Sequence, residues 1–193
     1  GRADDGRDEA CAQARTTESQ RGAAATVNQQ GAENRSSIPQ TEAATATVNQ
    51  SGTEVNYGLA PPNNNSVVDQ SGAGGAVVSQ TGDENDSLVV QEGDSDAEVD
   101  QTGLGNESDV NQVGDGNDAD VSQTGNGNIS NVNQEGSGDT ANVTQNGDGN
   151  DSNVQQSSNT NNVANVTQSG SDNESDVTQS ASDRSTRKSW TGA

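Results

Sequence analysis

A chain of 193 residues with a formal charge of −22, no Phe, no Met and a single Trp and Tyr cannot close a globular core around large apolar side chains. Lys and Arg number 8 against 30 Asp and Glu, which argues against phosphate recognition, so nucleic acid is not an expected partner. No apolar run approaches the roughly 20 residues of a membrane span, so no membrane insertion is expected, and composition alone would describe a disordered chain.

Residues 1–22 are charged, Ala-rich and out of register with the rest of the chain, and read as an N-terminal arm. The sequence opens without Met or a signal peptide, as expected of a mature, processed chain. Cys11 stands alone, which rules out an internal disulfide; a free thiol is the simpler reading and a link between subunits the sharper one.

From residue 23 to 181 the sequence acquires a period. Fifteen units, about 11 residues apart, each place an apolar residue two positions before a closing residue that is nearly always Gln. The apolar positions, expected to form the core, are Val27, Ile38, Val48, Leu59, Val68, Val78, Val89, Val99, Val110, Val121, Val132, Val143, Val154, Val166 and Val177. The closing glutamines are Gln29, Gln40, Gln50, Gln70, Gln80, Gln91, Gln101, Gln112, Gln123, Gln134, Gln145, Gln156, Gln168 and Gln179. Only the Leu59 unit lacks one, with Pro61 in its place, and a distorted or bulged strand is expected there because Pro cannot donate to a ladder. A disordered segment has no reason to keep such a register.

Within each unit residues alternate with period two, as in Asn117-x-Ala119-x-Val121-x-Gln123, while the intervening Asp118, Asp120, Ser122 and Thr124 are polar. Alternation places the Val and Gln positions on one face of a strand, which must be the inner face. Segments such as Gly114-Asp115-Gly116-Asn117 tolerate positive φ and read as tight turns.

The units form two alternating sets. Four residues before Gln, one set has Ser (Ser66, Ser87, Ser108, Ser130, Ser152, Ser175) and the other Ala (Ala76, Ala97, Ala119, Ala141, Ala164). The outward Asn28, Asn49, Asn111 and Asn133 are assigned to the Ser set. The repeat is therefore about 22 residues, strand-turn-strand-turn. An all-β, two-sided β-solenoid of about 7–8 coils is expected, with each strand stacked in parallel on its equivalent one coil away and with coils able to stack end to end as cross-β.

Stacking makes sense of inward amides. Identical carboxamides at the strand spacing bond along the column, so the Gln positions form one ladder and Asn85, Asn106, Asn117, Asn128, Asn150 and Asn173 another. The two end coils leave strand backbone open to a further copy. Outside, Glu107 and Asp109 are followed one coil later by Ile129 and Asn131, a pattern that would dilute repulsion of roughly 0.9 kcal/mol between carboxylates about 4.8 Å apart in water.

Residues 182–193 form a basic tail with Arg184, Arg187, Lys188 and Trp190, either solvated or docked on a neighbour's acidic face. The acidity has two readings, solubility of a repetitive surface or suitability for strong salt. No cofactor is expected. Asp115-Gly116-Asn117-Asp118 lacks the ligand set of a calcium loop, which leaves at most non-specific binding of divalent cations to Asp columns. The sequons Asn142-Val143-Thr144 and Asn165-Val166-Thr167 point outward and can accept a glycan. Without His, a Cys pair or a phosphate-cradling loop, no catalytic residues are assigned and an enzyme is not expected.

Gln112-x-Gly114-x-Gly116-Asn117-x-Ala119-x-x-x-Gln123 resembles the curlin repeat of curli-type bacterial fibres, as does Gln134-x-Gly136-x-Gly138-Asp139-x-Ala141-x-x-x-Gln145 with Asp in place of Asn. The resemblance extends over about residues 23–179. It implies a secreted, self-assembling subunit of an extracellular, cell-surface amyloid fibre that serves biofilm matrix and adhesion. The implied partners are other copies of the chain, a nucleator and a secretion pore. From another class, a soluble acidic β-solenoid that binds cations or coats a surface remains open.

Overall fold

The computed structural model describes residues 13–18, 22–31, 34–52, 64–180 and 185–191. Among these, all regular structure is β, in two parallel sheets of eight strands each. The first sheet comprises β1 (Gln13–Glu18), β3 (Arg35–Thr41), β5 (Asn64–Ser71), β7 (Asn85–Glu92), β9 (Glu107–Val113), β11 (Ile129–Ser137), β13 (Asp151–Thr160) and β15 (Glu174–Gln179). The second holds β2 (Ala24–Gln30), β4 (Thr45–Ser51), β6 (Gly75–Asp83), β8 (Asp96–Leu104), β10 (Asp118–Asn126), β12 (Thr140–Asn146), β14 (Val163–Ser169) and β16 (Ser185–Thr191).

Odd strands lie in one sheet and even strands in the other, each paired with its equivalent one coil away. This is the two-sided β-solenoid. Register follows residue type: Val121 pairs with Val99 and Val143, Gln123 with Gln101 and Gln145, and Ala119 with Ala97 and Ala141. A slip by one residue would turn every Val and Gln to solvent, so the pattern holds each strand in place. The inward valines two positions before each Gln, from Val68 to Val177, are all buried and share one cluster with Ala76, Ala97, Ala119, Ala141 and Ala164. Val27, in the first coil of the second sheet, is only partly buried.

The early part of the chain differs from expectation. β3 pairs directly with β5 and β4 with β6, at offsets of 30 residues, so neither sheet leaves a place for a strand between them. Leu59, expected in the core, and Pro61 fall outside the described residues, and the apolar columns pass from Ile38 to Val68 and from Val48 to Val78. Counting Leu59 as a strand inverts the alternation before it. This corrects the assignment of Asn28 and Asn49: they lie on β2 and β4 with Ala25 and Ala46, in the Ala set, where Asn49 pairs with Ser79. Pro39 interrupts the β3–β5 ladder, whose paired residues run to Ser37 and resume at Gln40, as expected for a residue without an N–H.

Both sheets also extend beyond the repeat. Gln13–Glu18, within the expected arm, and Ser185–Thr191, within the expected basic tail, each add a parallel strand, β1 on β3 and β16 on β14. Parallel pairing needs only backbone groups, so an open edge accepts a strand whose side chains lack the repeat. Arg187 and Lys188 thus sit on a strand; Arg184 and Cys11 lie outside the described residues.

Turns stack as closely as strands. Gly103, Gly125 and Gly147 occupy one column with φ near +125°, and a Cβ built on Gly125 would overlap the carbonyl oxygen of Gly147 in the next coil. Only glycine allows that approach. Gly127 has φ +63° but open space around its Cβ position. Thermal unfolding should therefore separate the two substitutions: Gly125→Ala loses at least about 2 kcal/mol, whereas Gly127→Ala loses about 1 kcal/mol, the cost of a left-handed Ala alone.

Candidate functional site: the amide columns and the ends of the stack

A buried carboxamide is tolerated only when its donors and acceptor are paired. Here each column pairs them along the stack. In the first sheet Gln40, Gln70, Gln91, Gln112, Gln134, Gln156 and Gln179 donate in sequence, each Nε2 to the next Oε1; in the second, Gln29, Gln50, Gln80, Gln101, Gln123, Gln145 and Gln168 do the same. All twelve bonds measure 2.7–3.0 Å, and all run in the same sense, from the N-terminal coil to the C-terminal one.

The second proton of the amide does something the sequence did not announce. Gln101 donates to the carbonyl of Asp86 at 2.8 Å, Gln112 to Asp96 at 2.9 Å, Gln123 to Glu107 at 2.8 Å and Gln134 to Asp118 at 3.0 Å. Each acceptor lies at or near the start of a strand in the opposite sheet. From Gln50 to Gln179, each Gln is thus both a member of an axial column and a staple across the solenoid. The signal was present as the fixed 15–16-residue offset from each Gln back to the carbonyl it meets.

The asparagines form two columns rather than one. Asn64, Asn85, Asn106, Asn128, Asn150 and Asn173 each donate Nδ2 to the Oδ1 one coil earlier at 2.8–3.2 Å, starting from Asn34. Asn117 is not among them. Units 11 residues apart lie in opposite sheets, so Asn117 stands in a mixed column with Ser95, Asp139 and Asn162. Asn34 and Asn64 join the first column; the inserted segment between residues 52 and 64 hides their register in the sequence. In both columns these side chains also take up turn backbone groups. Asn106 donates to the carbonyl of Gly125 at 2.9 Å and accepts from the backbone N–H of Asn128 at 3.1 Å.

The Ser column contrasts with the amides. Ser66, Ser87, Ser108, Ser130, Ser152 and Ser175 are buried, and their hydroxyls have no hydrogen-bond partner among the described residues. They act as small spacers opposite the Ala column. In the mixed column, Asp139 is fully buried; its Oδ1 accepts from Asn162 while Oδ2 has no partner among the described residues.

Part of the acidity serves the turns. Asp94 accepts the backbone N–H of Ala73 at 2.7 Å, Asp115 that of Asp94 at 3.1 Å and Asp148 that of Asn126 at 2.7 Å, each one coil earlier. On the strands the expected dilution of charge is only partial. Asp109 faces Asn131, but Asp118 stands beside Asp96 and Asp120 beside Glu98. Burial, and then the charge of Asp86, raises the Asp109 carboxyl above its ordinary value of 3.8. Burial, and then Asp100 and Asp118, raises Asp120 likewise. Of the two outward sequon residues, Asn142 donates to Asn165 at 3.0 Å, and both are half-buried. Among the described residues no group of three or more His, Cys, Asp or Glu is arranged to hold a metal ion.

These features define a class: a tandem-repeat protein, a parallel two-sheet β-solenoid whose interior is bonded along its axis by side-chain amides. Its regular centre carries the curlin associated repeat, whose family model matches residues 94–125, the stretch from just before β8 to β10. No curated protein and no solved structure matches the chain.

Stability should respond to the columns in opposite ways. Gln123→Leu deprives Gln145 of its donor, the Glu107 carbonyl of its staple and Gln101 of its axial acceptor, and should cost about 2–5 kcal/mol in denaturant unfolding, whereas Ser108→Ala removes an unpaired hydroxyl and should gain about 1 kcal/mol. The pH dependence has a definite sign. A carboxyl with a raised folded value binds its proton more tightly in the fold, so its contribution is fully present below the unfolded value near 3.8 and is lost as pH rises through the folded one. The melting temperature should therefore rise as pH falls from 7 towards 4, and the rise should be smaller in the Asp109→Asn, Asp120→Asn double variant.

Proposed function

We propose that the protein is a secreted structural subunit that assembles end to end into an extracellular amyloid-like fibre, serving as matrix and adhesive. What supports this reading most is that, from β2 to β15, one coil's interface with the next keeps the same Val and Gln columns, the same direction of Gln bonds and the same parallel register. An interface that repeats by translation within one chain repeats between chains without new contacts, and each joint extends the columns. The curlin repeat at residues 94–125 supports the same reading. The acidic outer face would keep such fibres apart from one another while their ends remain reactive.

Purified chain, incubated at increasing concentration and neutral pH, should form unbranched filaments with a meridional reflection near the strand separation of about 4.8 Å. A chain that stays monomeric and folded at every concentration would instead fit a soluble acidic binding module. In that case chelation of divalent ions would abolish its surface binding.

A further inference from the structure

β1 and β16 are the two strands whose sequences lack the repeat, and each covers a different sheet at a different end. β16 lies on β14 with Thr186 in register with Ala164, Lys188 with Val166 and Trp190 with Gln168. A lysine thus stands in the valine column, where it is half-buried. Trp190, which is exposed, takes the register position of the next glutamine and brings no carboxamide oxygen to accept from Gln168. At the other end, β1 places Ala14, Thr16 and Glu18 at the register positions of Ser36, Ile38 and Gln40. The remaining end strands, β2 and β15, keep the repeat: Ala25, Val27 and Gln29, and Ser175, Val177 and Gln179.

Two copies joined with β1 and β16 in place would set Lys188 against Val27, Trp190 against Gln29 and Glu18 against Gln179. The Val and Gln columns of both sheets would break at the joint. Without β1 and β16, the body from β2 to β15 ends in two half-coil steps of opposite sense. At the N-terminal end β2 projects in the second sheet; at the C-terminal end β15 projects in the first. These steps are complementary. β2 of a second copy fits on β14 beside β15, and its β3 then stacks on β15. Gln168 meets Gln29, Gln179 meets Gln40, Val166 meets Val27, Val177 meets Ile38 and Ser175 meets Ser36. The common sense of the Gln bonds makes each meeting a donor on an acceptor.

We infer that β1 and β16 are removable straps that cap the two ends, and that the occupant of each capped edge is a second copy of this chain, added by strand displacement at the joints β14–β2 and β15–β3. The inference rests on the fibre reading and adds its register and its control. Displacing a strap exchanges one parallel backbone ladder for another of similar length, so the gain comes from the restored side-chain columns. A free subunit stays capped; an end that presents the matching step removes the cap.

The outward column of the second sheet provides the test, since Asn28, Thr167 and Ser189 are all exposed on it. Within one copy Asn28 and Thr167 stand six strands apart, about 29 Å, far beyond the about 4.4–6.8 Å that a disulfide spans. In a Cys11→Ser background, full-length chain carrying Asn28→Cys and Thr167→Cys should form a ladder of disulfide-linked oligomers when its fibres are oxidised. The Asn28→Cys, Ser189→Cys pair should form none. Thr167→Cys with Ser189→Cys should lock the strap within one copy, and oxidation should then abolish elongation on wild-type seeds until reductant is added. Oligomers with the Ser189 pair but not the Thr167 pair, or unchanged elongation by the locked strap, overturn the inference and leave the fibre reading standing. Absence of filaments even from the Cys11→Ser parent overturns both.

Discussion

Everything in this structure depends on the need of a buried carboxamide for two donors' worth of acceptors and one donor of its own. A chain with 24% hydrophobic residues and no Phe or Met has little else with which to hold an interior. An isolated buried Gln would destabilise by about 1–3 kcal/mol, but a column in which each Nε2 meets the next Oε1 reverses that sign. The column works only if the next Gln lies one strand spacing away in register, so the requirement propagates outward. It sets the parallel sheets, the 22-residue coil and the glycine turns that let coils approach.

The second amide proton makes the arrangement cooperative in two directions. Stapling the glutamines from Gln50 onward to strand starts in the opposite sheet ties the sheets together where valine and alanine alone form a narrow apolar seam. Asparagine does the corresponding work at the turn, satisfying carbonyl and N–H groups that glycine-rich loops would leave open. The Ser column, with its unpaired hydroxyls, shows by contrast that the repeat carries positions selected for size as well as positions selected for bonding.

Much of this is legible in the sequence because a translational repeat writes its contacts directly: Val121 finds Val99 and Val143 by spacing alone. Expectation and structure part where spacing stops being informative. Counting Leu59 and Pro61 as one more strand between β3 and β5 shifts Asn28 and Asn49 into the wrong set, because β3 pairs directly with β5 and β4 with β6. Asn117 groups with Asn106 on sequence because both follow Gly, although an 11-residue step changes sheet. β1 and β16 are invisible to periodicity, since a strand on an open edge is recruited by its backbone and needs no pattern. Those two strands carry the asymmetry that distinguishes the ends of the stack from its middle.

The central claim is that the glutamine amides are bonded along the axis, and hydrogen exchange of their side chains measures this most directly. The Nε2 protons of Gln112, Gln123 and Gln134 should exchange as slowly as the backbone amides of β9, β10 and β11, because both are released only when coils separate. Exchange of these side-chain protons at the rate of a solvent-exposed amide, with the backbone still protected, would contradict the account.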